Sequence, residues 1–60
     1  MECFITVYKP IAGWKAQLLV VNDDGFFEPW NTSYFAYPTK EEAIAYGKEW
    51  AEAEGIEFKL

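Results

Sequence analysis

The side chains that could do chemistry in this chain are few: one cysteine, Cys3, the acidic pair Asp23-Asp24, and the carboxylates Glu49, Glu52, Glu54 and Glu57. A thiol becomes a nucleophile when a neighbouring base or positive field holds it as thiolate, and Cys3 stands in the apolar run Cys3-Phe4-Ile5-Thr6-Val7 with no base beside it. There is no histidine, the side chain most often used for proton transfer near neutral pH. One thiol and no imidazole also fall short of the ordinary zinc sites. Asp23-Asp24 lacks the further oxygen ligands of a calcium loop at the required spacing, and Asn22-Asp23-Asp24-Gly25 is already explained as a turn. The C-terminal glutamates read as a solvated face. These residues imply no enzyme, no metal and no cofactor.

What the chain has in quantity is aromatic surface: three Trp, four Tyr and five Phe in 60 residues. Each would bury on the order of 150–250 Å² if enclosed. One small core cannot enclose them all, and a chain of this length sits near break-even between burial and lost conformational entropy. A single cysteine rules out an intrachain disulfide as a staple, which leaves packing, self-association or a partner.

Charge narrows the partner. With ten acidic and five basic residues, all lysine, the net charge is −5 and the pI about 4.4. Nucleic-acid affinity comes chiefly from cations that displace counterions, so a nucleic-acid partner is disfavoured, as is an anionic membrane surface. The longest apolar run, Leu18 to Val21, is far below the roughly 20 residues of a membrane span, and no signal-like segment opens the chain. A cytoplasmic protein is expected. The sequon Asn31-Thr32-Ser33 carries no weight without a secretion signal.

The elements that position the aromatics can be read from period and punctuation. Cys3 to Tyr8 is a strand apolar on both sides, with Cys3, Ile5 and Val7 on one face and Phe4, Thr6 and Tyr8 on the other. Pro10 and Gly13 break it. Trp14 to Val21 alternates again, Trp14, Ala16, Leu18 and Val20 forming the better core face, and Asn22-Asp23-Asp24-Gly25 turns it into an antiparallel hairpin. The next segment is interrupted by Pro29 and Asn31-Thr32-Ser33. The reading favoured is two short strands, Phe26-Phe27-Glu28 and Tyr34-Phe35-Ala36-Tyr37, with Trp30 on a loop between them.

Thr39 to Gly55 then spells a complete amphipathic helix. Thr39 and Glu42 form a capping box, Glu41 and Glu42 suit the positive helix end, and Gly55 supplies the left-handed cap. Ala43, Ile44, Tyr46, Gly47, Trp50 and Ala51 share the inner face, with Trp14 and Trp50 expected to be buried. Gly47, costly inside a helix, implies close approach to a bulky residue such as Trp14. Ile56 to Leu60 alternates as a final strand with Ile56, Phe58 and Leu60 toward the core. The expected architecture is α+β: an antiparallel three- to four-stranded sheet with one helix packed on one face, in the order β-β-β-α-β, as a single domain over residues 1–60.

Gly13-Trp14-Lys15-Ala16, Phe35, Thr39-Lys40-Glu41-Glu42-Ala43-Ile44, Ala51, Gly55 and Ile56-Glu57-Phe58 together resemble small uncharacterised prokaryotic domains with a Gly-Trp strand and a Thr-x-x-Glu-Ala helix start. The resemblance covers most of the chain and implies an architecture without an activity. The same helix after three strands is also similar to HicB-type antitoxin domains, which commonly work with a partner toxin and often carry a separate DNA-binding element; no such element is seen here.

One helix covers one face of a sheet, so the other face is left open. Some of Phe4, Tyr8, Leu19, Val21 and Tyr34 or Phe35 are expected there, with Trp30 on its loop either a further contact residue or a lid folded back on the sheet. The expected function is a non-enzymatic protein–protein interaction or accessory module, whose partner is another protein or a second copy in a homodimer. The alternative is nucleic-acid binding by stacking on the aromatic sheet surface, which would need the five lysines to cluster.

Overall fold

The computed structural model describes residues 2–60. Its elements are β1 (Cys3–Tyr8), β2 (Lys15–Val21), β3 (Phe27–Thr32), α1 (Lys40–Glu54) and β4 (Glu57–Phe58). Among the described residues these make an α+β fold with a four-stranded sheet in the order β3-β2-β1-β4. The two hairpins pair antiparallel. The fourth strand joins β1 in parallel, so the sheet is mixed. That direction follows from the connection: β3 and β4 lie on opposite edges, and α1 carries the chain back across the sheet between them.

Local chemistry explains each boundary. Thr39, extended at φ −126° and ψ 154°, accepts through its hydroxyl from the Glu42 amide at 3.3 Å. Among the described residues this is the half of the capping box that forms. Gly55 ends the helix at φ 70°, its amide directed at the Ala51 and Glu52 carbonyls. In the β2–β3 turn the Asn22 carboxamide accepts from the amides of Asp24 and Phe26, both at 3.0 Å, and Gly25 takes φ 84°.

The core is thin and built on small residues. Ile5, Ala16, Ala43 and Ala51 are buried, and Ile5 is the largest fully buried side chain. Val7, Leu18, Trp50, Ile56 and Phe58 pack against this cluster half-exposed. Ala43, Gly47 and Ala51 recur every four residues, one stripe of the helix, and their small size lets α1 lie close to Ala16 and Ile5.

Four expectations need correction here. Trp14 and Trp50 are half-buried, not enclosed, because the smaller residues take the central positions. Gly47 makes room for Phe58, not for Trp14: a Cβ built on it would lie 2.6 Å from the Phe58 ring. Leu60 is 78% exposed, since β4 pairs only through Glu57 and Phe58 and the chain has left the core by its last residue. Finally, Pro29 to Thr32 does not loop out but stays in β3. An edge strand tolerates proline because only one side of its backbone is paired.

The excursion falls at Tyr34 to Ala36 instead. Ser33 donates its amide to the Ala16 carbonyl at 2.8 Å, and Tyr37 exchanges two backbone bonds with Trp14, at 2.6 and 2.8 Å. Between those anchor points the chain bulges outward. The buried Ser33 hydroxyl accepts from the Ala16 amide at 3.3 Å and donates to the Phe35 carbonyl at 3.0 Å, which holds the base of the excursion.

Candidate functional site

Strand pairing fixes which residues share the face opposite the helix. Phe4 stands across from Leu19, Thr6 from Gln17 and Tyr8 from Lys15. On the far side of β2, Leu19 faces Pro29, Val21 faces Phe27 and Gln17 faces Thr32. Ile5 and Ala16, on the alternate positions, are buried beneath α1, so this second set looks away from the helix.

The face divides in two. Toward the β2–β3 turn it is apolar, with Phe4, Leu19, Val21, Phe27 and Pro29 adjacent. The Phe4 and Phe27 rings meet edge to face at 5.4 Å, spanning β2. Toward the other end it is polar, where the Thr32 hydroxyl donates to the Ala16 carbonyl at 3.2 Å. Its proton being used there, the Tyr8 hydroxyl is the donor in the 3.2 Å bond between Tyr8 and Thr32. This bond also crosses β2 and ties β1 to the edge strand β3.

Four of the expected surface residues, Phe4, Tyr8, Leu19 and Val21, therefore lie together. Trp30 is on the site's edge for a different reason from the one expected. The β2–β3 register shifts between Leu18 and Leu19, with Leu18 opposite Asn31 and Leu19 opposite Pro29, so Trp30 is the extra residue of a bulge. It is 74% exposed. Tyr34 is not part of the sheet: it sits on the excursion after β3, its ring against Phe35 at 4.9 Å. Phe27, Pro29 and Thr32 were missed: Phe27 and Pro29 reach this face through the register that the Asn22–Gly25 turn sets against Val21 and Leu19, and Thr32 joins them only because the bulge shifts parity by one residue.

None of the twelve aromatic residues is buried. α1 packs on β1, β2 and β4 but not on β3, which leaves all six residues of that edge strand exposed. Two shallow depressions flank Trp30. One, of about 460 Å³, is lined by Tyr8, Gln17, Pro29, Trp30, Asn31 and Thr32. The other, of about 450 Å³, is lined by Val20, Val21, Asn22, Asp23, Glu28 and Trp30.

Charge is distributed unevenly. Lys40 and Lys48 belong to α1, the former 5.6 Å above the Trp14 ring, and Lys9 follows β1. Lys15 is at one end of β2. Lys59 sits 5.1 Å from the Phe4 ring and 3.8 Å from Glu57, at the β4 edge. Lys9, Lys15 and Lys40 thus lie toward one end of the sheet, around Tyr8 and Trp14, while Lys59 is apart from them at the β4 edge. Cys3 is half-buried on the alternation shared with Ile5, and among the described residues no group of three or more potential ligands could hold a metal ion. Among the described residues no helix is long and apolar enough to cross a membrane. Compared with known proteins, the chain matches no family model, no curated protein and no solved structure.

Proposed function

We propose that this protein is a non-enzymatic interaction module that binds protein through the sheet face opposite α1, with self-association through the apolar half of that face as its simplest form. The observation that carries this reading is the uncovered patch of Phe4, Leu19, Val21, Phe27 and Pro29 in a chain whose largest fully buried side chain is one isoleucine. Contiguous apolar surface on a small protein marks a contact site, and a second copy burying it would add the core that the monomer lacks. Nucleic-acid binding through the same aromatics is the weaker reading, because the chain has five lysines against ten acidic residues and a net charge of −5.

Sedimentation equilibrium across a wide concentration range tests the reading. A concentration-dependent mass, abolished by Leu19→Glu, supports it. A protein that stays monomeric to millimolar concentration and recovers no specific protein from cells would remove it.

A further inference from the structure

We propose that the cleft between Tyr8 and Trp30 binds a proline-rich protein segment in the polyproline II conformation, with a basic residue of that segment placed against Asp23 and Glu28. The inference rests on the protein-interaction reading above, but the cleft is built from the polar end and edge of the face and shares only Pro29 with the apolar patch.

The lining of the cleft is the first argument. Tyr8, Gln17, Pro29, Trp30, Asn31 and Thr32 include no charged side chain, in a chain of net charge −5. A ligand that is neutral along its length fits such a surface. The second argument is hydrogen-bond supply. Asn31 accepts from the Thr32 amide through its Oδ1, so its NH₂ is left to donate outward. Gln17, which carries a side-chain amide, and Trp30, which carries an indole N–H, line the same cleft. A proline-rich segment has carbonyl acceptors with no internal partners and few N–H groups, so it calls for donors of this kind.

Spacing is the third. Tyr8 stands across from Lys15 and Trp30 lies beside the Leu18–Leu19 step, so the two are offset by two strand spacings, roughly 10 Å, across the sheet and by three to four residues, roughly 10–13 Å, along it, a diagonal of roughly 15 Å. A polyproline II helix rises about 3.1 Å per residue, so about five residues span that diagonal. Such a segment laid obliquely over the strands can touch both aromatics, as aromatic-lined grooves take such segments elsewhere.

Charge complementarity orients the ligand. On the other side of the Trp30 ring the depression is lined by Asp23 and Glu28, with no lysine among its lining residues. A Lys or Arg flanking the prolines would meet those carboxylates.

The test is a titration of the ¹⁵N-labelled full chain with three short synthetic peptides: proline-rich with an arginine flank, proline-rich with a glutamate flank, and a glycine–serine control. Saturable shifts of the Trp30 indole N–H and the Gln17 and Asn31 side-chain amides are expected with the first. It should bind about fivefold or more tightly than the glutamate-flanked peptide, a preference that falls with added salt and is lost in Glu28→Gln. Trp30→Ala should weaken binding at least about tenfold, and the exposure of Trp30 means that the rest of the amide spectrum should be preserved. No shift of the Trp30 indole with about 1 mM peptide, or equal shifts with the control, would overturn the proposal. So would saturation of the same signals by single-stranded oligonucleotide without any peptide response. If the peptides fail while Leu19→Glu still dissociates an oligomer, this inference falls and the interaction reading stands; if both fail, both fall.

Discussion

Gly47 lies against Phe58 with no room for a side chain between them: a methyl group at position 47 would lie 2.6 Å from Cε1 and 3.3 Å from Cδ1 of the phenyl ring. Ala16 is next, at 3.5 Å. The helix therefore rests on β4 and β2 through a missing side chain, and the ring of a two-residue strand fills the space.

Gly47→Ala should accordingly destabilise the protein. The gain in helix propensity is about 1 kcal/mol, against overpacking costs of about 1–3 kcal/mol, so a net loss of about 1 kcal/mol is expected. Gly47→Ala combined with Phe58→Leu should recover part of it. Urea denaturation of the two single variants and the double gives the coupling; strict additivity would show that the ring does not sense position 47.

Thr39→Ala removes the acceptor of the Glu42 amide at the start of α1. A loss of about 1 kcal/mol is expected, despite the exposed position. An unshifted denaturation midpoint would mean that the cap contributes nothing in solution.

Ser33→Ala tests the base of the Tyr34–Ala36 excursion. The hydroxyl is buried and serves both the Ala16 amide and the Phe35 carbonyl. Leaving two backbone groups without it should cost about 1–3 kcal/mol. Amide exchange at Ala16 should quicken more than exchange at Ile5, which is remote from Ser33 in the pairing; uniform acceleration would instead report a global loss of stability.

Trp50→Ala should cost less than the removal of an enclosed tryptophan. Trp50 is half-buried and stacks on Tyr46 at 6.0 Å, so about 2 kcal/mol is expected where a fully buried aromatic would lose about 3–5. Acrylamide should quench part of its fluorescence; complete protection from quencher would place it deeper than the fold does.

Self-association through the apolar half of the open face predicts a melting temperature that rises with protein concentration. Leu19→Glu should lower it and remove the concentration dependence, because the charge would enter the patch between Phe4 and Pro29. A variant with the wild-type dependence would move the contact away from this face.

The sequence by itself determined what depends on near neighbours. The helix from Thr39 to Gly55, the Asn22–Gly25 turn, and the division of β1 and β2 into a core face and an open face all rest on bonds within a few residues or on a period of two. Those signals place Phe4, Tyr8, Leu19 and Val21 together without coordinates. Only the tertiary structure decided which residues meet across long separations. Phe58 reaching Gly47, β4 lying parallel to β1, and Tyr37 pairing with Trp14 all depend on where α1 returns the chain. The same holds at Trp30, where one extra residue opposite the Leu18–Leu19 step reverses the alternation along β3 and brings Thr32, in place of Asn31, onto the open face beside Pro29 and Phe27. A period of two carries no mark of such a shift, because the hydrogen bonds that create it belong to the neighbouring strand.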